Sequence, residues 1–125
     1  MSDSTGLALS IATTIFGAFL FMYIQKLTAD KGAEIATGLV RGHPLPTRYR
    51  RLMLYQYWVP YQAGGFAVGA GVALANMTIA RFVTDASAKT FVEMLAFATL
   101  FAAVPAVVGG AIVFLELHSL LRQAD

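Results

Sequence analysis

Three long apolar runs dominate this chain, and the charged residues mark their limits. Residues 4–25, 52–80 and 94–115 contain no Asp, Glu, Lys or Arg. The first and third runs each hold 22 residues, about 33 Å as helix, against a bilayer hydrocarbon core of about 30 Å. The middle run is longer because it takes in an aromatic cluster. This pattern predicts an all-α integral membrane protein, a single membrane domain over residues 1–125. Its transmembrane helices are expected at about 5–25, 58–80 and 90–117, with an interfacial amphipathic, aromatic segment before the second.

The joints are read from local signals. Ser4 or Thr5 is the expected N-cap of the first helix. The opening "MSDSTG" lacks a positive n-region and the apolar run is long for an h-region, so the first span is expected to be retained. Residues 26–56 form a basic loop. The first helix can extend into it through "KLTADKGAEIATGLV" as far as Val40, since Leu27, Ile35 and Leu39 recur near helical spacing, although Gly32 and Gly38 weaken it. "GHPLP" stops any helix. Thr47 is the expected cap of a new helix, and Pro60 falls in the first turn of the second span or at a kink. A hairpin, "RFVTDASAK" (Arg81 to Lys89), leads to the third span, and "HSLLRQAD" is expected to fray.

Composition sharpens the class. The chain is 58% hydrophobic and 13% charged, where a soluble domain carries about 25% charged residues. There is no cysteine, which excludes disulfides, thiolate metal sites and cysteine nucleophiles. Basic residues then set the orientation. Lys26, Lys31, Arg41, Arg48, Arg50, Arg51 and Arg122 fall on one side of a three-span topology, and Arg81 and Lys89 on the other. The positive-inside bias places the N-terminus in the periplasm and the C-terminus in the cytoplasm of what is expected to be a bacterial inner membrane.

The aromatic stretch sits where the chain enters the inner leaflet. Tyr55, Tyr57, Trp58 and Tyr61 suit the headgroup level, and Arg48, Arg50 and Arg51 suit anionic lipid headgroups. The same residue types dominate protein interfaces, so a docking platform for another membrane subunit is a second reading of the stretch. Helix contacts are expected along small-residue stripes: Gly65, Gly69 and Ala73 in the second span, and Ala98, Ala102, Ala106 and Gly110 in the third. These two stripes are expected to pack on each other as an antiparallel pair, with contact to another subunit as the competing use. In the first span, Ser10, Thr13, Thr14 and Gly17 form the packing side, and Phe16, Phe19, Leu20 and Tyr23 face lipid.

Candidate chemistry is sparse. No ionisable group is central to a span; Glu93 lies about one turn inside one end of the third helix, with Glu116 and His118 at the other. Asn76 and Gln62 are the strongest polar groups in the first two apolar runs. A pump or proton-coupled transporter made by one copy is disfavoured, because those pathways need intramembrane acids or bases. His43, His118 and a nearby carboxylate are one conceivable metal or haem set, but His43 lies in a proline loop, and Glu116 and His118 do not share a helical face. The expectation is therefore a non-catalytic accessory or assembly subunit of a larger membrane complex. It has no cofactor and no nucleic-acid partner, and it contacts lipids and other membrane subunits. A homo-oligomeric channel or small-solute transporter is the alternative, and a metal- or haem-linked membrane enzyme the weaker one.

Overall fold

The computed structural model describes residues 2–123, and these are nearly all helical. Helix α1 covers Asp3–Thr37 and is followed by a two-stranded antiparallel hairpin, β1 Leu39–Val40 with β2 His43–Pro44. Helix α2 covers Thr47–Met53, a π-helical turn covers Leu54–Trp58, and helix α3 covers Val59–Ala80. These three run on as one helical rod, Thr47–Ala80, and α4 covers Ala86–Gln123. Three helices are thus long and apolar enough to cross a membrane, which suggests a membrane location.

Each joint has a local cause. Ser2, not Ser4 or Thr5, caps α1: its Oγ accepts from the Thr5 N–H at 3.1 Å, and Asp3 adds a negative charge to the first turn. The helix then continues through Gly32 to Thr37, taking in residues 26–37 of what the sequence offered as loop. It ends at Gly38, whose N–H still reaches the Glu34 carbonyl and whose left-handed backbone (φ 71°) then turns the chain out of the helix. Thr47 is the first helical residue rather than the cap; Pro46 holds that position with no side-chain bond. The π-turn closes with the Val59 N–H on the Leu54 carbonyl. It stands immediately before Pro60, which supplies no N–H and would clash with a regular preceding turn.

The connection at the opposite end is tighter than expected. Only residues 81–85 are non-helical, so α4 begins at Ala86 rather than near Thr90. Asp85 caps it by accepting from the Ala88 N–H at 2.9 Å. Asp3 reaches across from α1 and accepts from the backbone N–H groups of Thr84 and Asp85, at 2.9 Å each. The start of α1 and the α3–α4 loop are thereby tied into one end of the molecule.

Helix α3 is central. Within its most apolar stretch 39% of residues are buried, against 11% in each of α1 and α4. Its buried row is Gly65, Gly69, Val72, Ala73, Asn76, Ile79 and Ala80, and it divides this row between two neighbours. Gly65 lies against Gln25, Ile24 and Phe21 of α1, whereas Gly69 lies 3.4 Å from Ala103 of α4 when a Cβ is placed on it. Gly65 therefore serves α1, not the α3–α4 pair expected from sequence. Gly17 of α1 receives Val72, and Gly110 of α4 receives Gln62, each so closely that a Cβ would collide. Ser10 and Gly17 are buried and Thr13 and Thr14 half-buried, while Phe16, Phe19, Leu20 and Tyr23 are exposed.

A second core lies beyond the bundle at the basic end. Ile35, Leu54, Trp58, Leu117 and Leu121 are buried together, with Met53, Val59 and Phe114 packed around them. Helix α4 continues through residues 118–123 of the tail expected to fray, and Leu121 joins this core; Ala124 and Asp125 lie outside the described residues. At 1.5 Å per residue, α1 and α4 are roughly 50–57 Å long, some 20 Å more than a hydrocarbon core of about 30 Å requires.

Candidate functional site

Polar side chains on the helix faces converge at two depths. Toward the Asp3 end, the Ser10 hydroxyl donates to Asn76 Oδ1 at 2.6 Å, and Asn76 Nδ2 donates to Thr14 Oγ1 at 2.9 Å. Thr14 in turn donates to the Ser10 carbonyl at 2.8 Å, closing a knot between α1 and α3. Ser10 and Asn76 have no exposed surface. An unsatisfied amide in such a place is costly, so these groups fix the register of α1 on α3. Sequence reasoning singled out Asn76, and separately the Ser10/Thr14 face, without joining them.

The second polar level lies nearer the basic end. Gln62 Nε2 donates to the Ala106 carbonyl at 2.9 Å, crossing from α3 to α4. Gly110 makes room for it, since any Cβ there would collide with the Gln62 amide. On the α1 side, Gln25 Nε2 is buried and has no hydrogen-bond partner among the described residues. Gln25, Thr28, Trp58, Gln62, Pro105 and Gly109 are among the residues lining an open cleft of about 310 Å³ between α1 and α4. Gln25 and this cleft were not foreseen. Their sequence signal is faint, one glutamine at the last uncharged position of the first run.

The aromatic and basic residues are divided between packing and surface. Trp58 is buried, tilted against Phe114 at 6.1 Å, with its indole over Gly32. Tyr55 is half exposed, meets Phe114 edge-on at 6.1 Å, and points its hydroxyl at His118 Nδ1 across a long 3.4 Å. His118 stacks on Phe114 with 5.9 Å between centroids. Tyr57 is exposed beneath the Lys31 ammonium, 5.0 Å from its ring centre, and lies 6.3 Å from Tyr61. Lys31 also pairs with Glu34 at 3.2 Å.

The arginines do not act as a set. Arg50 donates from Nε to the Ile35 carbonyl at 2.8 Å and from Nη2 to the Ala36 carbonyl at 3.2 Å. The last turn of α1 holds no basic residue of its own. Arg50 supplies the missing positive charge and satisfies carbonyls that the helix end leaves open. Arg48 is exposed over the Tyr49 ring at 5.3 Å, and Arg51 is exposed on the same helix.

Of the helix-packing residues, Gly65, Gly69, Ala73 and Gly110 are buried and Ala106 is half-buried. Ala98 and Ala102 are exposed and line a groove of about 290 Å³ over Gly69 and Val72, between α1 and α4. The packed row of α4 is Val92, Ala96, Ala103, Gly110, Leu117 and Leu121. Glu93 is half-buried, Glu116 exposed, and His43 exposed on β2. Among the described residues no three His, Cys, Asp or Glu side chains come together as a metal set. No protein-family model, curated protein or solved structure matches the chain, so the functional reading rests on this geometry.

Proposed function

We propose that the chain is a non-catalytic accessory or assembly subunit of a larger membrane complex. Its compact, alanine-rich sequence and basic-residue bias favour a bacterial inner membrane, with the N-terminus periplasmic and the basic end cytoplasmic. One observation carries this reading. The polar groups Ser10, Thr14 and Asn76 are used on each other, while large apolar side chains cover the outward faces of α1 and α4. Phe16 and Phe19 are 69% exposed and Phe101 74%. Such a chain presents helix faces and a preformed basic, aromatic head to neighbours, and it holds no charged relay at the centre of a span. Arg48 and Tyr55 on the head are of the residue types that anchor interfaces, and anionic headgroups are the other contact they suit.

The test is purification from native membranes in a mild detergent. A second membrane protein in fixed ratio is the expected result. A homo-oligomer alone would overturn the accessory reading in favour of a channel between copies, with Glu93 and Glu116 towards its two mouths. A coloured or metal-bearing species would overturn it in favour of a membrane enzyme.

A further inference from the structure

We propose that the cleft between α1 and α4 at the Gln25–Gln62 level is a binding site for one diacyl lipid, recognised through the carbonyl of an acyl ester. This inference rests on the membrane location and not on the accessory-subunit reading.

The depth is the first argument. Gln25 lies 22 residues along α1 from Asp3, which anchors the opposite end. That separation is about 33 Å of helix, so Gln25 stands where a hydrocarbon core of about 30 Å gives way to the headgroup region. Lys26 follows at once, and Trp58 occupies the same level on the central rod. Ester carbonyls are the hydrogen-bond acceptors that a bilayer itself supplies at this border.

The second argument is an orphaned donor. Gln25 Nε2 is buried without a partner, while the Gln62 Nε2 in the same cleft already donates to Ala106. The Thr28 hydroxyl is likewise engaged, donating to the Ile24 carbonyl at 2.8 Å. Gln25 Nε2 is thus the buried cleft donor left without a partner among the described residues. It lies against Gly65 of α3, where it finds no acceptor. The terminal torsion of glutamine is soft, and turning the amide sets Oε1 against the glycine and the NH2 toward the cavity that Gln25 lines. A carbonyl arriving there satisfies a group that the protein leaves unpaired.

The third argument is space. Pro105, Ala106 and Gly109 keep the α4 wall low, and a Cβ on Gly109 would meet nothing within 4 Å. The walls beyond the two glutamines are mostly apolar, which suits an acyl chain running from the ester toward the bilayer centre. A single neutral acceptor with an apolar tail is what this combination admits.

The experiment exploits a lipid that lacks the acceptor. The purified protein is exposed to equal amounts of a diester phosphatidylglycerol and the diether analogue with the same chains and headgroup. Retained lipid is then counted by native mass spectrometry. The parent is expected to hold one ester lipid in preference to its ether analogue by roughly three- to tenfold, the factor a single neutral hydrogen bond contributes. Gln25→Met, similar in length but without the donor, should erase that preference. Gly109→Leu fills the cleft from a position with open space, so it should fold as the parent does and lose the retained lipid. Circular dichroism and melting of both variants establish that they are folded. Equal retention of ester and ether lipid by the parent overturns the proposal, as does an undiminished preference in Gln25→Met. In a further arm, an isoprenoid quinone that displaces the ester lipid at equal concentration overturns the lipid assignment in favour of a quinone carbonyl.

Discussion

The two halves of the molecule pack by opposite rules. Along the middle of the apolar bundle, contacts are made by small or polar residues: Gly17 on Val72, Gly69 on Ala103, Ser10 and Thr14 on Asn76. Larger apolar side chains, Ile79, Val83 and Val92, cluster at its Asp3 end. At the basic end the buried residues are Ile35, Leu54, Trp58, Leu117 and Leu121, large and apolar. A membrane location, which the three long apolar helices suggest, accounts for the change. Between helices in lipid there is no hydrophobic gain, so close backbone approach and hydrogen bonds must hold them. Where the same helices project into water, burying a large side chain is favourable again, by about 1.5–3 kcal/mol for each. On that footing the head would be a small water-facing core built on the ends of the three apolar helices.

Breaking the head core should have the largest effect. Trp58→Ala removes the side chain that fills the space over Gly32 and beside Phe114, and truncations of this kind cost about 3–5 kcal/mol. The loss should be local. Limited proteolysis is expected to cut at Lys26 and Lys31 in the variant while the bundle stays intact. A variant as resistant as the parent would mean that the head is held by something other than this core.

Arg50→Ala comes next, because it strips two carbonyls at the end of α1 of a charged donor. Charged hydrogen bonds contribute about 1.5–3 kcal/mol, so unfolding in detergent should shift by that order. Arg50→Lys should recover only part, since a single ammonium does not reproduce the guanidinium's two-carbonyl reach. Full recovery with lysine would reduce Arg50 to a general charge.

These residues also show what was legible in the sequence. Uncharged runs marked the three long apolar helices, each of a length and composition suited to crossing a membrane. The i,i+4 pair Ser10/Thr14 marked the packing side of α1. The head was not legible, because Ile35, Leu54 and Leu121 become a core only when three distant segments meet. Gly32 argued against continuing α1, yet its missing side chain is what admits Trp58 from the next helix. The α4 stripe failed for a geometric reason. Residues four apart advance about 400° and drift about 40° around the helix at each step. The series Gly110, Ala106, Ala102, Ala98 accordingly winds from buried to exposed. The true row, Ala96, Ala103, Gly110 and Leu117, repeats every seven residues, as antiparallel packing at a shallow angle requires.

Two smaller perturbations address the bundle. Gly69→Leu forces α3 away from Ala103, and overpacking of this kind costs about 1–3 kcal/mol. Its melting temperature in micelles should fall and its yield with it; parent-like melting would make the small-residue contact incidental. Asn76→Leu removes the knot with Ser10 and Thr14, where interhelical hydrogen bonds are worth about 0.6–2 kcal/mol. A modest destabilisation is expected, readable as faster unfolding in denaturant. An unchanged rate would mean that the register of α1 on α3 is set by Gly17 and Val72 instead.

The most direct measurement asks where lipid ends and water begins along α1. The chain has no cysteine of its own, so single cysteines placed at Ser4, Ile11, Phe19, Ala33 and Ala36 report cleanly. All five positions are exposed on the protein surface, so lipid alone distinguishes them. With an impermeant maleimide, Ser4→Cys should label in intact cells. Ala33→Cys and Ala36→Cys should label only after the cells are opened, and Ile11→Cys and Phe19→Cys in neither case. Labelling at Ile11 and Phe19 as ready as at Ala33 would contradict the division into a lipid-embedded bundle and a water-exposed head.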